Sequence, residues 1–502
     1  MITTKSALEQ FKELDEKITH LSTVSALVGW DQKVMAPKKG RMLFSKAYST
    51  LETEIFKLMI SKEMGDYLTE LTTNKDNFDD VTNARIRERK IFYDKFKTIP
   101  TDLYQEYSTL TSEANHIWEE ARANNDFNHF LPYLERIIEM KRKFAELYGY
   151  KSHPYDALLD EFEPGLTVEK LDPLFAELRK VSVELLKRIQ HSSTKTPEEI
   201  FEKTYSVEKQ KEFNKYMLPI IGFDMEAGRL DETIHPFAQP MNTGDVRITT
   251  RYLEHNVRSA IFGTIHEAGH GIYDQNINKD FEGTVLRNGT SFGIHESQSR
   301  FLENMVGRSK EFWKYFYPTL QSYFTEQLGE TTVDDFYKAI NTVKPTFIRV
   351  EADELTYNLH IMVRYEIEKG LIAGEFIAKD LPTIWNKKME EYLGIIPKND
   401  REGVLQDVHW SFGGLGYFPS YTLGNLYAAQ ILNTIEQEMP EFYQNIESGR
   451  FDLIKNWLTS KIHQYGSLIS PYELIVKVTG EELNAKYMAD YLNTKYSKIY
   501  DL

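Results

Sequence analysis

Between Thr264 and Gln275 the chain reads TIHEAGHGIYDQ. His266 and His270 stand four residues apart, and Glu267 sits beside the first of them. On a helix, residues i and i+4 lie one above the other, so both imidazoles can reach one ion. Zinc accepts nitrogen and carboxylate-oxygen ligands in a tetrahedral arrangement. A glutamate next to the first histidine can then act as general base, taking a proton from a water that the ion activates and passing it to a leaving amine. The H-E-x-x-H spacing is suited to metal-dependent cleavage of a peptide bond.

Two histidines do not complete a catalytic zinc site, which has three protein ligands and one open position. The next candidates lie in SFGIHESQSRFLENM (291–305). Ile294, Phe301 and Met305 make an apolar stripe on a second helix. Glu296 and Glu303, seven residues apart, project roughly the other way, and His295 is turned about 100° from Glu296. Glu296 is the preferred third ligand on this spacing, with Glu303 and His295 as rivals. Asp274, one turn after His270, and Asp353 are the candidates to accept a hydrogen bond from a ligand histidine.

These groups need elements to hold them. Ile261, Ile265, Ala268 and Ile272 form one apolar stripe, with the two histidines roughly opposite. Glu267 is the only formal charge from Ala260 to Gly271, which predicts a helix buried on both sides. Upstream, Phe11, Leu14, Ile18, Leu21, Val24 and Val28 step by three or four, and Gly29, Pro37 and Gly40 are expected to break that helix. Further helices are expected at about 41–71, 82–97, 102–124 and 128–148, with polar loops at 72–80 and 191–197. MNTGDVRITTRY (241–252) alternates apolar and polar residues, so it reads as a strand at the edge of a small sheet.

The bulk composition agrees with a helical protein. The 502 residues contain only 27 glycines and 17 prolines, with 41% hydrophobic and 13% aromatic residues, enough for a large core. A net charge of −16 repels nucleic acid and anionic membrane, so neither is an expected partner. There is no cysteine, which rules out disulfides and thiolate ligands. Charges from Lys5 onward interrupt any apolar leader, and no eighteen-residue apolar run occurs. The expected location is the cytoplasm.

The sequence resembles the carboxypeptidase Taq family of metallocarboxypeptidases across nearly its whole length. Six short motifs carry the likeness in order: HPF (235–237), DVRIT (245–249), HEAGH (266–270), HESQ (295–298), IRVEAD (348–353) and GVLQDVHW (403–410). The resemblance implies Glu296 as third ligand after His266 and His270, and Glu267 as catalytic acid and base. It implies one zinc per chain, with cobalt able to support activity; the ligand types would also admit manganese. It further implies a mainly α fold, similar to the oligopeptidase and angiotensin-converting-enzyme architectures, and a homodimer. The expected organisation is one domain over 1–502, two helical lobes around a deep groove. The metal-site core is expected at about 235–430, with a small antiparallel sheet beside it.

Peptide hydrolysis also needs donors to a developing oxyanion. His409, Tyr417 and Tyr421 in HWSFGGLGYFPSYTLGNLY (409–427) are spaced as in the related helical peptidases. Removing a C-terminal residue needs a receptor for a free carboxylate, which the planar fork of arginine suits. Arg349 is the preferred receptor and Arg247 the second; an internal ion pair of Arg349 with Asp353 or Glu354 is the competing reading. His235 is either near the ligands or in the substrate groove. The strand around Val246 and Ile248 could add the substrate as a further strand. The function expected is C-terminal trimming of peptides. The alternatives are an endo-acting oligopeptidase with the same metal apparatus and a peptide-binding protein that has lost catalysis.

Overall fold

The computed structural model describes residues 4–502. The chain is mainly α-helical, and its one sheet among the described residues has three strands. It divides into two compact units. One holds the N-terminal stretch to Lys97, Pro197–Ile340 and Ile431–Glu481; the other holds Thr98–Thr196, Asn341–Gln430 and Glu482–Leu502.

In the first unit, the helix Thr4–Val34 packs on Arg41–Met59 and Lys62–Thr73. Ala7, Phe11 and Ile18 meet Ile55, Met64, Leu68 and Leu71 in a common core. The expected stripe fades beyond Ile18, and Val24 is 50% exposed. Gly29 does not end this helix, which stops two residues before Ala36, where the following Pro37 disfavours helical backbone. The segment expected as one helix over 41–71 is two, because Ser61 caps a new start by accepting from the Met64 amide.

The sheet runs β1 (Gly228–Glu232), β2 (Ala238–Asn242) and β3 (Asp245–Thr250), in the order β1-β3-β2. β1 pairs with β3 in parallel and β2 pairs with β3 antiparallel, so the sheet is mixed. The segment read as a single edge strand is the end of β2, a turn at Thr243–Gly244, and the central strand β3. Both edges of β3 are taken, which leaves it no backbone groups for a substrate strand. Pro240 lies on β2, an edge, where its missing amide hydrogen breaks no internal ladder. Val246 and Ile248 are fully buried on the side that abuts the histidine helix, and Thr250 Oγ1 donates to the Ala260 carbonyl at 3.2 Å.

The second unit is built round Glu354–Ala373, a helix buried on nearly every side. Asp353 caps it, accepting from the Leu355 and Thr356 amides at 3.0 Å each. His360, Arg364 and Glu368 form a fully buried polar row along it at four-residue spacing.

Candidate metal centre and flanking groups

The histidine helix runs from Val257 to Gln275, and the Asn256 side chain accepts from the Ser259 amide at its start. The next helix, Phe292–Arg300, is capped by Ser291 and continues as a π-helical turn, Phe301–Val306. Gly269 lets the two touch. A Cβ there would lie 2.5 Å from Ser299 Cα and 2.6 Å from the Gln298 carbonyl oxygen, both backbone. Gly269→Ala should therefore force the helices apart. The expected result is a stability loss of about 1–3 kcal/mol in urea unfolding, with weakened metal binding in the same protein. Parent-like values of both would show that the contact yields without cost.

The close approach brings three donor atoms together. Glu296 Oε2 lies 3.4 Å from His270 Nε2 and 3.8 Å from His266 Nε2. Their ligand atoms all fall within 4.8 Å of one another, so His266, His270 and Glu296 form a group able to hold a metal. The rivals take other places. Glu303 Oε2 bonds His266 Nδ1 at 2.9 Å, and His295 Nδ1 bonds His270 Nδ1 at 2.6 Å. Asp274 reaches His270 only through His295, whose Nε2 lies 3.3 Å from Asp274 Oδ1. Asp353, the other candidate for that task, is occupied as a helix cap.

The donor set fits a divalent cation. Each histidine has its Nδ1 occupied, which leaves both Nε2 atoms toward Glu296. Arg300 Nε holds Glu296 Oε1 at 2.6 Å, leaving Oε2 for the ion. Burial raises the pKa of Glu296, but Arg300, His266 and His270 outweigh it and hold the group well below the usual carboxylate range. Glu303 is likewise brought down to about 2 against its burial, by the His266 hydrogen bond and Arg300. Burial brings His270 down to about 4, so its ring is neutral near pH 7. Two neutral-capable imidazoles and an ionised carboxylate suit zinc and also neighbouring first-row ions. Glu267 is 6% exposed, and burial, helped by Glu296 and Glu303 and opposed by His266, raises it to about 7.

Of the other groups in this unit, Arg247 is held by Asp245, with Nε and an NH2 nitrogen each 2.8 Å from a carboxylate oxygen. His235 is exposed in the bend before β2.

In the second unit, Arg349 is 6% exposed and pairs with Asp407. Its Nε and NH2 lie 3.0 and 2.8 Å from Asp407 Oδ1, and NH1 donates to Tyr357 Oη at 2.9 Å. The competing reading of Arg349, an internal ion pair with Asp353 or Glu354, has the wrong partner: the pair is made with Asp407. Arg364 Nε donates to Asp407 Oδ2 at 2.7 Å. Gln406 ties the motifs together, its Oε1 accepting from the Arg349 amide and from Arg364 NH2. Glu368 accepts from Trp410 Nε1 and the Gly416 amide at 2.8 Å each, fixing both ends of the turn that directly follows His409. His409 Nε2 lies 3.3 Å from Tyr421 Oη, and the His409 and Tyr417 rings are 5.4 Å apart.

Sequence reading missed Arg300, Arg364, Asp407 and His463. Arg300 follows Glu296 by four residues, a spacing that signals an ion pair. His463 comes from far along the chain to bond Gln298 Oε1 through Nε2 at 2.9 Å. Burial first, then His295 and Lys455, lowers it to about 3, and burial likewise brings His409 to about 3. Both stay neutral when folded, whereas in the unfolded chain they protonate below about 6.5. The unfolded state thus binds the extra protons, and stability falls as pH drops from about 6.5 toward 3. Each ring should contribute about 1.4 kcal/mol per pH unit well inside that window. Urea unfolding of metal-free His463→Gln between pH 6 and 4 should show a slope smaller by about that amount. An unchanged slope would mean that the folded chain already carries this proton.

Comparison with known proteins agrees with this geometry. Residues 10–496 match the family described as carboxypeptidase Taq (M32) metallopeptidase. The chain is 48% identical to carboxypeptidase 1 of Bacillus subtilis over 492 residues, covering 98% of each. It is 41% identical to thermostable carboxypeptidase 1 of Thermus thermophilus over 510 residues, covering 99% of this chain and 100% of the other. The crystal structure of the M32 carboxypeptidase from Deinococcus radiodurans R1 superposes with a TM-score of 0.95 at 32% identity, covering 99% of this chain and 100% of that one. With the histidine pair and Glu296 brought together on two touching helices, the chain belongs to the carboxypeptidase Taq (M32) family of metallopeptidases, carboxypeptidases that hydrolyse peptide bonds.

Proposed function

We propose that the chain removes C-terminal residues from peptides with one zinc ion held by His266, His270 and Glu296, a site that could also take cobalt or manganese. The observation that carries this reading is the meeting of both Nε2 atoms with Glu296 Oε2 beside the buried Glu267. When bound, the cation supplies Lewis acidity toward water and the scissile carbonyl. Glu267, buried beside His266 on the same helix, accepts the proton of the attacking water and returns it to the leaving amine. His409, neutral because burial lowers it to about 3, donates with Tyr421 and Tyr417 toward the developing oxyanion. Arg349 is the proposed receptor for the substrate carboxylate, with Arg247 and His235 contributing to substrate binding. In this reading the protein works as a cytoplasmic homodimer on peptides, without nucleic acid. Among the described residues, no helix is long and apolar enough to cross a membrane.

The test uses peptides with blocked N-termini, one set with a free C-terminal carboxylate and one amidated. Free-acid peptides should lose single C-terminal residues, amidated ones should resist, and a strong chelator should abolish turnover until zinc is restored. Equal cleavage of both sets at internal bonds would favour the endo-acting alternative. Zinc binding without turnover of either set would favour a peptide-binding protein.

A further inference from the structure

The two ligand histidines are supported differently. His266 Nδ1 meets the Glu303 carboxylate directly at 2.9 Å, and Arg300 and Arg308 hold that carboxylate in turn. His270 Nδ1 meets a second imidazole, His295, which then meets Asp274. We infer that His295 and Asp274 are positioning residues that act as a relay, fixing the tautomer of His270 and so setting the affinity of the site for zinc. The inference rests on the metal reading above and extends it to two side chains that bind no ion themselves.

The argument follows the protons. A ring nitrogen that binds a cation carries no proton. With a cation held by Nε2 of His270 and Glu296, the His270 proton would stand on Nδ1. That N–H donates to His295 Nδ1, 2.6 Å away, which must therefore be the bare nitrogen of its ring. The His295 proton is then on Nε2 and donates to Asp274 Oδ1 at 3.3 Å. Asp274 Oδ1 is the acceptor for that proton, so the row has one direction and ends at Asp274. Removing that acceptor frees His295 to carry its proton on Nδ1. Two N–H groups would then face each other, and His270 would be driven to the tautomer protonated on Nε2, which cannot take zinc.

The packing supports a fixed relay. Asp274 is 2% exposed, one helical turn beyond His270 on the same helix. The His295 ring is held between neighbours: the Tyr273 ring lies 5.0 Å away, and a Cβ at Gly289 would stand 2.8 Å from the His295 ring. Swinging the ring aside would thus require its surroundings to move. Groups of this kind behind a ligand are commonly worth about 10–100-fold in metal affinity.

The experiment measures zinc affinity of the full chain by competition with a chromophoric chelator, independent of turnover. His295→Phe fills the space but offers no acceptor, and should weaken zinc binding by about 10–100-fold. His295→Asn places an amide oxygen near the lost Nδ1 and should recover part of that loss, which a merely structural role would not predict. Asp274→Ala, which removes the acceptor, should weaken binding alone yet add little to His295→Phe, because both act along one path. Circular dichroism checks that each variant is folded, and His295→Asn carries the test if His295→Phe is not. Parent-like affinity in folded His295→Phe, or fully additive losses in the double variant, would overturn the relay while leaving the metal reading intact. If the parent chain itself binds no zinc, the metal reading fails first and the relay falls with it.

Discussion

Glu267→Gln should keep its zinc and lose turnover by about 10²- to 10⁴-fold, the usual share of a general base. The substitution preserves shape and removes only the ability to take and return a proton. KM for a free-acid peptide should move little, because the group handles a proton and carries no binding contact in this account. Metal content must be counted in the same sample, so that loss of the ion is not mistaken for loss of the base. The same variant has a stability consequence of opposite sign. Burial raises this carboxyl from 4.5 to about 7 in the folded, metal-free chain. Above pH 4.5 the unfolded chain ionises it while the folded chain retains the proton, so the residue costs stability increasingly up to about pH 7. Glutamine carries no such cost, and metal-free Glu267→Gln should be no less stable than the parent at pH 8, a familiar trade at working sites. Zinc-loaded variant with near-parent kcat would remove Glu267 from the mechanism.

How far the sequence could be read depended on the range of the interaction. The histidine helix was legible because its signal is local: period, spacing and a near absence of charge all lie within Val257–Gln275. Glu296 could be preferred but not separated from Glu303 and His295, because a 100° wheel gives direction without distance. What separates them is the contact at Gly269, which sets how near the second helix comes, and the π turn at Phe301–Val306. β3 was legible by alternation at Val246 and Ile248. Its neighbours were not, because GRLDE and AQPMN carry charges and a proline that only half-exposed edge strands accept. The two-helix break at Ser61 had a local signal, a capping serine, that the apolar period masked. Asp407 had none: it lies 58 residues from Arg349 and 43 from Arg364, and only the folded unit makes them neighbours.

That triad yields the second large effect. Asp407 is the shared acceptor of two buried guanidinium groups, and its side chain is 12% exposed. Burial would raise its pKa, but Arg349 and Arg364 hold it far below the usual carboxylate range. Asp407→Ala leaves both cations in place with only neutral partners: Tyr357 for Arg349, and Gln406 with the His360 carbonyl for Arg364. Breaking a buried pair from one side costs about 3–5 kcal/mol, because the remaining charge stays desolvated. Urea unfolding of Asp407→Ala should show a loss of that order, and Asp407→Asn a smaller one, since an amide oxygen still accepts. The pair also constrains Arg349 as a substrate receptor. Three of its nitrogens already donate within the unit, so a peptide carboxylate must share or displace Asp407. Asp407→Asn, where it folds, leaves the guanidinium less neutralised and should lower KM for free-acid peptides without changing that for amidated ones. A stability loss with no change in this discrimination would assign Arg349 to the scaffold and send the search for the carboxylate receptor to another cation.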